Sequence, residues 1–545
     1  MGSKQEITQP LNFVIDNNVL KGAEKNINVQ TKTIGKSLLK IFSDNPNHVG
    51  QIEAETGKQT RYSEMRENSI RCARWLQKQG INHEDVVTIC TPNQLDAYIP
   101  CIATFLVGAV YNPWHHETTL PMARHLINLT RPKFIFACDN SIKILKEAAI
   151  LERLHDIHFV VFGKYLNFVS LRDIMRLQSN KEVLEFEPRL IENPDTPAMI
   201  LFSSGTTGMP KGVTHSYQTL FTNLENFKLL SIKNCVSLWY SSLYWISGTL
   251  CMLQTILACA TRVVHANFDP EETCKVIEKY NVNWFFIPPS LITYWCKSNV
   301  LSKYKMQSLK SLMTGGAKLS KEIIVSLKRD LQPHVQFSQG YGMTEIGGIA
   351  SIQSQSCQSI ESVGFVTPNM QIKIIDIDTA EILGPNQQGE LCIKTPTVMI
   401  GYYKNAAATK EAIDEQGWIH TGDKAYFSNI GEIFIVDRLK EVMKFRGHHV
   451  SPSEIEQVLN AHDGVIEAAV VPVPHELDLE RPMAFVKKVP GSKVTEEELI
   501  QLSSTLGETK KLWGGVVFVD ELPYTASGKL SRKDLKEMAK RCIVN

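Results

Sequence analysis

Residues 198–216 read Ala-Met-Ile-Leu-Phe-Ser-Ser-Gly-Thr-Thr-Gly-Met-Pro-Lys-Gly-Val-Thr-His-Ser. Ala198 to Phe202 is a short apolar run with strand character. Ser203, Ser204, Gly205, Thr206, Thr207 and Gly208 follow as an unbroken run of small residues. Then come Lys211 and a return to strand composition at Gly212-Val213-Thr214. Glycines let backbone N–H groups approach an anion closely, hydroxyls add donors, and one lysine adds a point charge. Such an inventory holds a polyphosphate. An ordinary Gly/Ser-rich turn would share the glycines, but not the whole run closed by Pro-Lys-Gly. Nor is this the Walker loop, in which Gly precedes Lys, Ser or Thr follows it and a helix opens. Here Pro210 precedes Lys211 and Gly212 follows. The β-branched residues beyond predict a strand, so the loop is expected to clamp phosphates as a lid between two strands.

This stretch resembles the phosphate-binding signature of the adenylate-forming superfamily: acyl-CoA synthetases, coumarate ligases, insect luciferases and peptide-synthetase adenylation domains. The resemblance runs from about Tyr62 to Leu535. It implies an α/β fold with a large N-terminal domain of doubly wound sheets plus β-structure over 1–436. A hinge at 437–440 and a small mobile α+β C-terminal domain over 441–545 complete it. ATP, Mg²⁺ and coenzyme A are implied with it, together with a small carboxylic acid as substrate.

Composition agrees with a globular protein of several domains: 545 residues, 43% hydrophobic, 21% charged, formal net charge +1. So balanced a charge leaves no electrostatic case for nucleic acid or for an anionic membrane. The 12 cysteines are scattered with no Cys-x-x-Cys pair, so their spacing indicates neither a zinc site nor a disulfide framework. Reduced thiols in an intracellular compartment are expected. The N-terminus lacks the apolar core of a signal peptide. Glu6 stands where a myristoylation signal needs Ser or Thr. The most apolar stretch, Ala97 to Tyr111, contains Pro100 and falls short of the ~20 residues that span a bilayer, so it reads as a buried helix. Arg541 to Asn545 is not a Ser-Lys-Leu ending, which favours the cytoplasm, with peroxisomal import by another route as the alternative.

Along the chain, helical and strand patterns alternate over 33–190. Glu64 to Gln79 is an amphipathic helix ended by Gly80; Val86 to Cys90, Lys133 to Ala137 and His158 to Phe162 are strands. Alternation of this kind predicts a mostly parallel sheet with ligands beyond the carboxyl ends of its strands. His115 and His116 are adjacent and are expected to be solvated loop residues. Ser237 to Gly248 is apolar and aromatic, which suits a tunnel wall as well as plain core. In the superfamily this segment lines the acyl pocket. Tyr244-Trp245 stands where firefly luciferase has a His-His pair, a departure that counts against a luciferin site.

Thr314-Gly315-Gly316-Ala317 is expected to let a planar ring or acyl chain lie on the backbone. Lys318 stands where the family usually has Pro. Gln339-Gly340-Tyr341-Gly342-Met343-Thr344-Glu345 reads alone as a loop with one aromatic and one acid. The resemblance gives Tyr341 to adenine, Thr344 to the α-phosphate and Glu345 to Mg²⁺. Gly316, Ala317, Gly340 and Gly342 are then nucleotide contacts. Tyr244, Trp245, Gly315, Gly316 and Met343 bound the acid. Residues 360–400 look like β-structure, with Asn369 in place of a common family glycine. By resemblance Asp423 of Trp418-Ile419-His420-Thr421-Gly422-Asp423 accepts the ribose hydroxyls. Arg438 contacts ribose and phosphate, Lys440 is the hinge, and Lys444 and Gly447 belong to the loop used in the thiol step. Ser453 reads as a helix N-cap with Glu456 as its capping-box acid. Lys529, in Thr525-Ala526-Ser527-Gly528-Lys529, matches the family's catalytic lysine.

The implied reaction has two halves. A carboxylate attacks the α-phosphorus of ATP, giving acyl-AMP and pyrophosphate; a thiol then attacks the acyl carbonyl and AMP leaves. The barrier to bringing two anions together is largely electrostatic. Lys211, Thr344, Glu345 and Lys529 are therefore the expected catalytic set, and the 203–208 run with Lys211 the expected phosphate cradle. An acyl-CoA synthetase acting on a medium- or long-chain fatty acid is the leading expectation. The alternatives are a luciferase-like adenylation and oxidation, a coumarate-type ligase, or a non-catalytic nucleotide- or lipid-binding relative. A carrier-loading adenylation domain is disfavoured, since no Ser-bearing carrier follows Asn545. The presence of Lys211, Glu345, Asp423, Arg438 and Lys529 together disfavours the non-catalytic reading.

Overall fold

The computed structural model describes residues 12–25, 34–165, 167–203, 209–446, 448–524 and 530–544. Ser204 to Gly208, Gly447 and Lys529 lie outside them. Four sheets carry the chain. The first begins with the run Val86–Cys90, whose five residues are all buried, and extends in parallel through Phe134–Ala137, His158–Val161 and Val169–Ser170 on one side. On the other side lie Val110–Trp114 and Pro197–Ser203, also parallel. A continuous apolar strand is what a sheet covered on both faces requires. The anticipated helix over the Ala97 region is Tyr98–Val107, buried at every position and ended by Gly108.

A second, nine-stranded sheet is also mainly parallel at its centre, in the order Gln336–Met343, Ser311–Gly315, Trp284–Phe286, Val236–Trp239, Thr261–Val264 and Val49–Glu53. The helix Ile246–Leu257, together with Tyr62–Lys78 and Tyr98–Val107, belongs to one apolar cluster that joins the two sheets. The third sheet is antiparallel and runs from Phe13–Asp16 through Val19–Gly22, Gln371–Ile375, Gly389–Lys394 and Ile419–Phe427 to Ile433–Arg438. The β-structure expected over 360–400 is here. The fourth sheet, Met443–Phe445, His448–Val450, Val465–His475, Leu479–Lys488 and Val516–Phe518, has its own core with the helices Pro452–Asn460 and Glu496–Ser504. The result is a large α/β body followed by a smaller α+β body.

Four sequence expectations need correction. Gln336–Met343 is a strand, not a loop; only Thr344–Ile346 turns, as one turn of 3₁₀ helix. His115 and His116 are half-buried, with their rings stacked at 4.9 Å, because they sit just past the end of the central strand Val110–Trp114. Ser453 is not the cap of its helix. Ser451 takes that place with Pro452 as first helical residue, and Asp437 receives the Ser451 hydroxyl and the Ser453 N–H (3.1 Å) on one carboxylate oxygen. Glu456 is no capping-box acid either. It accepts from the Val470 N–H at 2.6 Å and pairs with Arg532, tying the helix to the sheet beneath it.

Asn369 shows why one family glycine can be replaced. Its φ is +62°, in the left-handed region that Asn tolerates better than other side-chain-bearing residues. Its amide oxygen also accepts from the Lys25 N–H at 2.7 Å, and its amide nitrogen donates to Asn226 at 3.2 Å. Asn369→Ala is expected to lower stability by about 1–2 kcal/mol through backbone strain and two lost hydrogen bonds. Asn369→Gly should lower it less. Thermal melting of the three proteins checks the order; a glycine variant that melts below the alanine variant would mean that backbone conformation does not govern this position.

Candidate active site

Lys211 opens the strand Lys211–Ser216, antiparallel to Pro197–Ser203, so that Ser203 lies directly opposite it. A strand after the lysine, as predicted, sets this loop apart from a Walker loop. The far side of Lys211–Ser216 pairs with Gly401–Tyr402. Lys211 Nζ lies 4.8 Å from the centre of the Tyr402 ring, and the Tyr402 hydroxyl donates to Glu345 Oε1 at 3.0 Å. One aromatic side chain thus bridges the lysine and the carboxylate. Burial, with Glu345 beside it, pushes the Tyr402 hydroxyl well above its ordinary value, so it stays a donor. Nothing in the sequence pattern marked Tyr402, because its position comes from strand pairing between segments nearly 190 residues apart.

Thr344 and Glu345 are fixed by the same strand. His215 Nε2 lies 2.7 Å from the Thr344 carbonyl oxygen, so that nitrogen carries the proton, and Nδ1 faces the Thr219 hydroxyl at 3.4 Å. Burial pushes His215 down to about 4, which keeps the ring neutral at physiological pH. Glu345 is itself buried, and its carbonyl accepts from the Met399 N–H at 2.8 Å.

A second knot lies on the antiparallel sheet. Asp423 and Arg438 are paired across adjacent strands, and Arg438 Nε sits 2.9 Å from Asp423 Oδ1. The Tyr341 hydroxyl, reaching from the nine-stranded sheet, donates to Asp423 Oδ2 at 2.5 Å. Asp423 is therefore a buried strand residue. The irregular stretch of strand before it is held by Glu390, whose Oε1 accepts from the Gly422 N–H at 3.1 Å and whose Oε2 lies 2.9 Å from His420 Nδ1. Glu390 and His420 were also unmarked by the sequence reading.

The strand that carries Tyr341 holds Gly340 and Gly342 as well. Gly315 lies beside Gly340 in register, and a Cβ there would stand 2.7 Å from the Gly340 carbonyl. Its absence of side chain thus serves strand packing. Gly316, at φ +97° with open space around it, and Ala317 and Lys318 are exposed. Tyr244 packs against Phe202 (ring centres 6.3 Å apart), and Trp245 stands perpendicular to it at 4.7 Å as the residue before the helix Ile246–Leu257. Met343, partly buried, packs against the core cluster of the antiparallel sheet. Lys440 is exposed on the segment joining the two bodies, and Lys444 is exposed on the strand Met443–Phe445 of the small body.

The chain matches the AMP-binding enzyme family over residues 42–403 and the AMP-binding enzyme C-terminal domain over 454–529. It belongs to the AMP-binding enzyme family. It is 31% identical to a luciferin 4-monooxygenase of Photuris pensylvanica over 96% of its own length and 98% of that protein. It is also 31% identical to the 4-coumarate–CoA ligase-like 9 protein of Arabidopsis thaliana, over 90% of this chain and 86% of that one. Among solved structures, a luciferase-like enzyme from the nonluminescent Zophobas morio mealworm superposes with TM-score 0.72 at 31% identity, over 78% of this chain and all of that one. ATP-bound MatB from Rhodopseudomonas palustris has the same fold, with TM-score 0.84 at 24% identity over 93% of this chain and 99% of that one. The protein is an ATP-dependent acid-activating enzyme with the two-domain architecture of acid–thiol ligases. The named relatives sit nearer the luciferase-like and coumarate-type alternatives than the fatty-acid reading. Among the described residues, no helix is long and apolar enough to cross a membrane.

Two outcomes are expected. Tyr402→Phe keeps the ring under Lys211 and removes the bond to Glu345. A hydrogen bond to a charged group is worth about 1.5–3 kcal/mol, so kcat/KM for ATP in pyrophosphate exchange should fall about tenfold or more. An unchanged value would show that the hydroxyl does not position Glu345. The second concerns pH. His215 has a folded value near 4 against an ordinary 6.5, so its neutral burial contributes full stability above 6.5. That contribution, roughly 3 kcal/mol, declines as pH falls from 6.5 toward 4. Chemical denaturation of the wild type and His215→Gln over this range should show a shallower pH slope in the variant.

Proposed function

We propose that the protein is an acid–coenzyme A ligase whose acid carries a planar ring, in the manner of a coumarate-type ligase. The observation that carries the reading is the joint placement of Lys211, Tyr402 and Glu345 on one side and Tyr341, Asp423 and Arg438 on the other. Lys211 supplies a cation, Glu345 a hard carboxylate and Asp423 a ribose-type acceptor, brought together from separate strands and the turn after the strand of Tyr341. The aromatic wall of Phe202, Tyr244 and Trp245 supports a ring-bearing acid. So does likeness to proteins named for luciferin and coumarate.

In the adenylation half, the carboxylate oxygen of the acid forms a bond to the α-phosphorus and the bond to pyrophosphate breaks. Lys211 and the 203–208 run would offset the polyphosphate charge, with Thr344 donating to the α-phosphate. Lys529 would bridge the two reacting anions, a matter of in-line placement and charge. Glu345 suits Mg²⁺, which takes one or two carboxylates and keeps most of its water, and the ion would supply charge neutralisation. Tyr402 would hold Glu345 in place for it. No general base is needed, because the acid is ionised at neutral pH. In the second half the thiol sulfur bonds to the acyl carbon and AMP leaves. The small domain would turn about Lys440, withdraw Lys529 and bring in the loop with Lys444 and Gly447.

A second reading, adenylation of a luciferin followed by oxidation, is favoured by the luciferin monooxygenases among the relatives. Tyr244-Trp245, and the absence of an arginine in Thr219 to Asn223, oppose it. The deciding experiment is AMP release with and without coenzyme A across cinnamic acids, fatty acids of graded length and luciferin. CoA-dependent release with cinnamic acids is the expected result; release confined to fatty acids would overturn the ring-bearing reading, and light from luciferin and ATP would establish the second. Lys529→Ala should lower acyl-AMP formation by about 10²–10³-fold, the scale of one lost oxyanion contact, yet spare thioester formation from preformed acyl-AMP. Equal loss in both halves would remove the two-pose mechanism.

A further inference from the structure

The spacing of the cysteines showed no metal motif, but the fold brings one cysteine to a histidine and a glutamate. Cys392 and His420 are directly opposite each other on the antiparallel strands Gly389–Lys394 and Ile419–Phe427. Glu390, two residues before Cys392, shares its face of the sheet. One donor atom from each of Glu390, Cys392 and His420 lies within 4.8 Å of the other two. The His420 Nδ1 faces both partners, at 2.9 Å from Glu390 Oε2 and 3.7 Å from Cys392 Sγ.

The groups around these three already orient them. His420 Nε2, the nitrogen turned away, faces Asp414 Oδ2 at 3.8 Å. Asp414 is itself held by the N–H groups of Gln416 (2.9 Å) and Trp418 (2.8 Å) on its other oxygen. Glu390 Oε1, also turned away, accepts from the Gly422 N–H at 3.1 Å. A carboxylate behind the outer nitrogen of a histidine, and a backbone donor behind the outer oxygen of a carboxylate, are how metal ligands are commonly fixed. Cys392 is fully buried while Glu390 and His420 keep 16% and 32% of their side chains exposed, so the site opens to solvent on the side of its harder donors.

We infer that Glu390, Cys392 and His420 form a binding site for a zinc-like divalent transition metal ion, with water in the fourth position. One sulfur, one imidazole nitrogen and one carboxylate oxygen suit that class; Mg²⁺ and Ca²⁺ would require oxygen ligands. The balance is simple. The thiol gives up one proton to solvent, the imidazole proton moves from Nδ1 to Nε2 toward Asp414, and the ion with thiolate and carboxylate is neutral overall. The site lies on the strand that carries Asp423, three residues after His420. An ion there would take Glu390 Oε2 and His420 together and stiffen the Thr421-Gly422-Asp423 stretch of the strand. This consequence for activity rests on the ribose role proposed for Asp423; the binding claim does not.

The test is titration of chelator-treated full-length protein with Co²⁺, then Zn²⁺, following the thiolate-to-cobalt charge-transfer absorption. One equivalent per chain, displaced by Zn²⁺, is expected in the wild type. Cys392→Ser should abolish the band, and Glu390→Gln and His420→Gln should each weaken Co²⁺ at least tenfold. No thiolate band at millimolar Co²⁺ in the wild type overturns the site, as does a band undiminished in Cys392→Ser, which would assign it to another thiol. Should Cys392→Ser fail to fold by circular dichroism, unchanged Co²⁺ affinity in the two glutamine variants overturns it equally. A wild-type band lost in Cys392→Ser supports the site whichever acid the enzyme prefers, so the binding claim and the substrate reading fail separately.

Discussion

The Asp423 carboxylate is the constraint on which the rest of the site depends. Tyr341 reaches it from the nine-stranded sheet and Arg438 from the neighbouring strand of the antiparallel sheet, so two separately folded layers meet on one buried charge. A buried carboxylate is tolerable only when hydrogen-bonded and paired, and breaking such an arrangement leaves an uncompensated charge. The layers are therefore held in register by polar contacts at their edge as well as by apolar contacts within. Any nucleotide that binds there meets groups already oriented, with little reorganisation left to accomplish.

The parallel core was legible from the sequence because it is written locally. Val86 to Cys90, Phe134 to Ala137 and Ala198 to Phe202 are apolar runs that only a doubly covered sheet can use. The family signature likewise marked Lys211, Tyr341, Glu345 and Asp423. What escaped was long-range. Tyr402 becomes interesting only when Gly401–Tyr402 pairs with Lys211–Ser216, and Glu390 only when its strand lies against that of Gly422. Ser453 was misread as a cap since the true acceptor, Asp437, stands 16 residues away in sequence. The histidine pair was misread since adjacency in sequence says nothing about burial; their place at the end of a central strand does. Asn369 was visible as a departure, but its harmlessness required the backbone angle.

The side proposed to bind the acid is the least determined by these rules. Gly315 serves the strand next to it, while Gly316 is open and left-handed, so adjacent glycines answer to separate demands. Tyr244 and Trp245 set two perpendicular rings just before one helix, with Tyr244 buried against Phe202.

Asp437 has a consequence for how the two bodies share time. Its carboxylate belongs to the last strand of the large body, yet it holds the Ser451 hydroxyl and the Ser453 amide at the first helix of the small one. Rotation at any bond between 438 and 450 must detach these donors or carry Asp437 with them. Under the proposed turning of the small body, the two contacts bias that equilibrium, and every 1.4 kcal/mol they contribute holds this arrangement tenfold more populated. Tuning such a bond by a single methylene or hydroxyl is a route by which enzymes of one fold could divide their turnover differently between two half-reactions, with no change in any group that touches the reacting atoms.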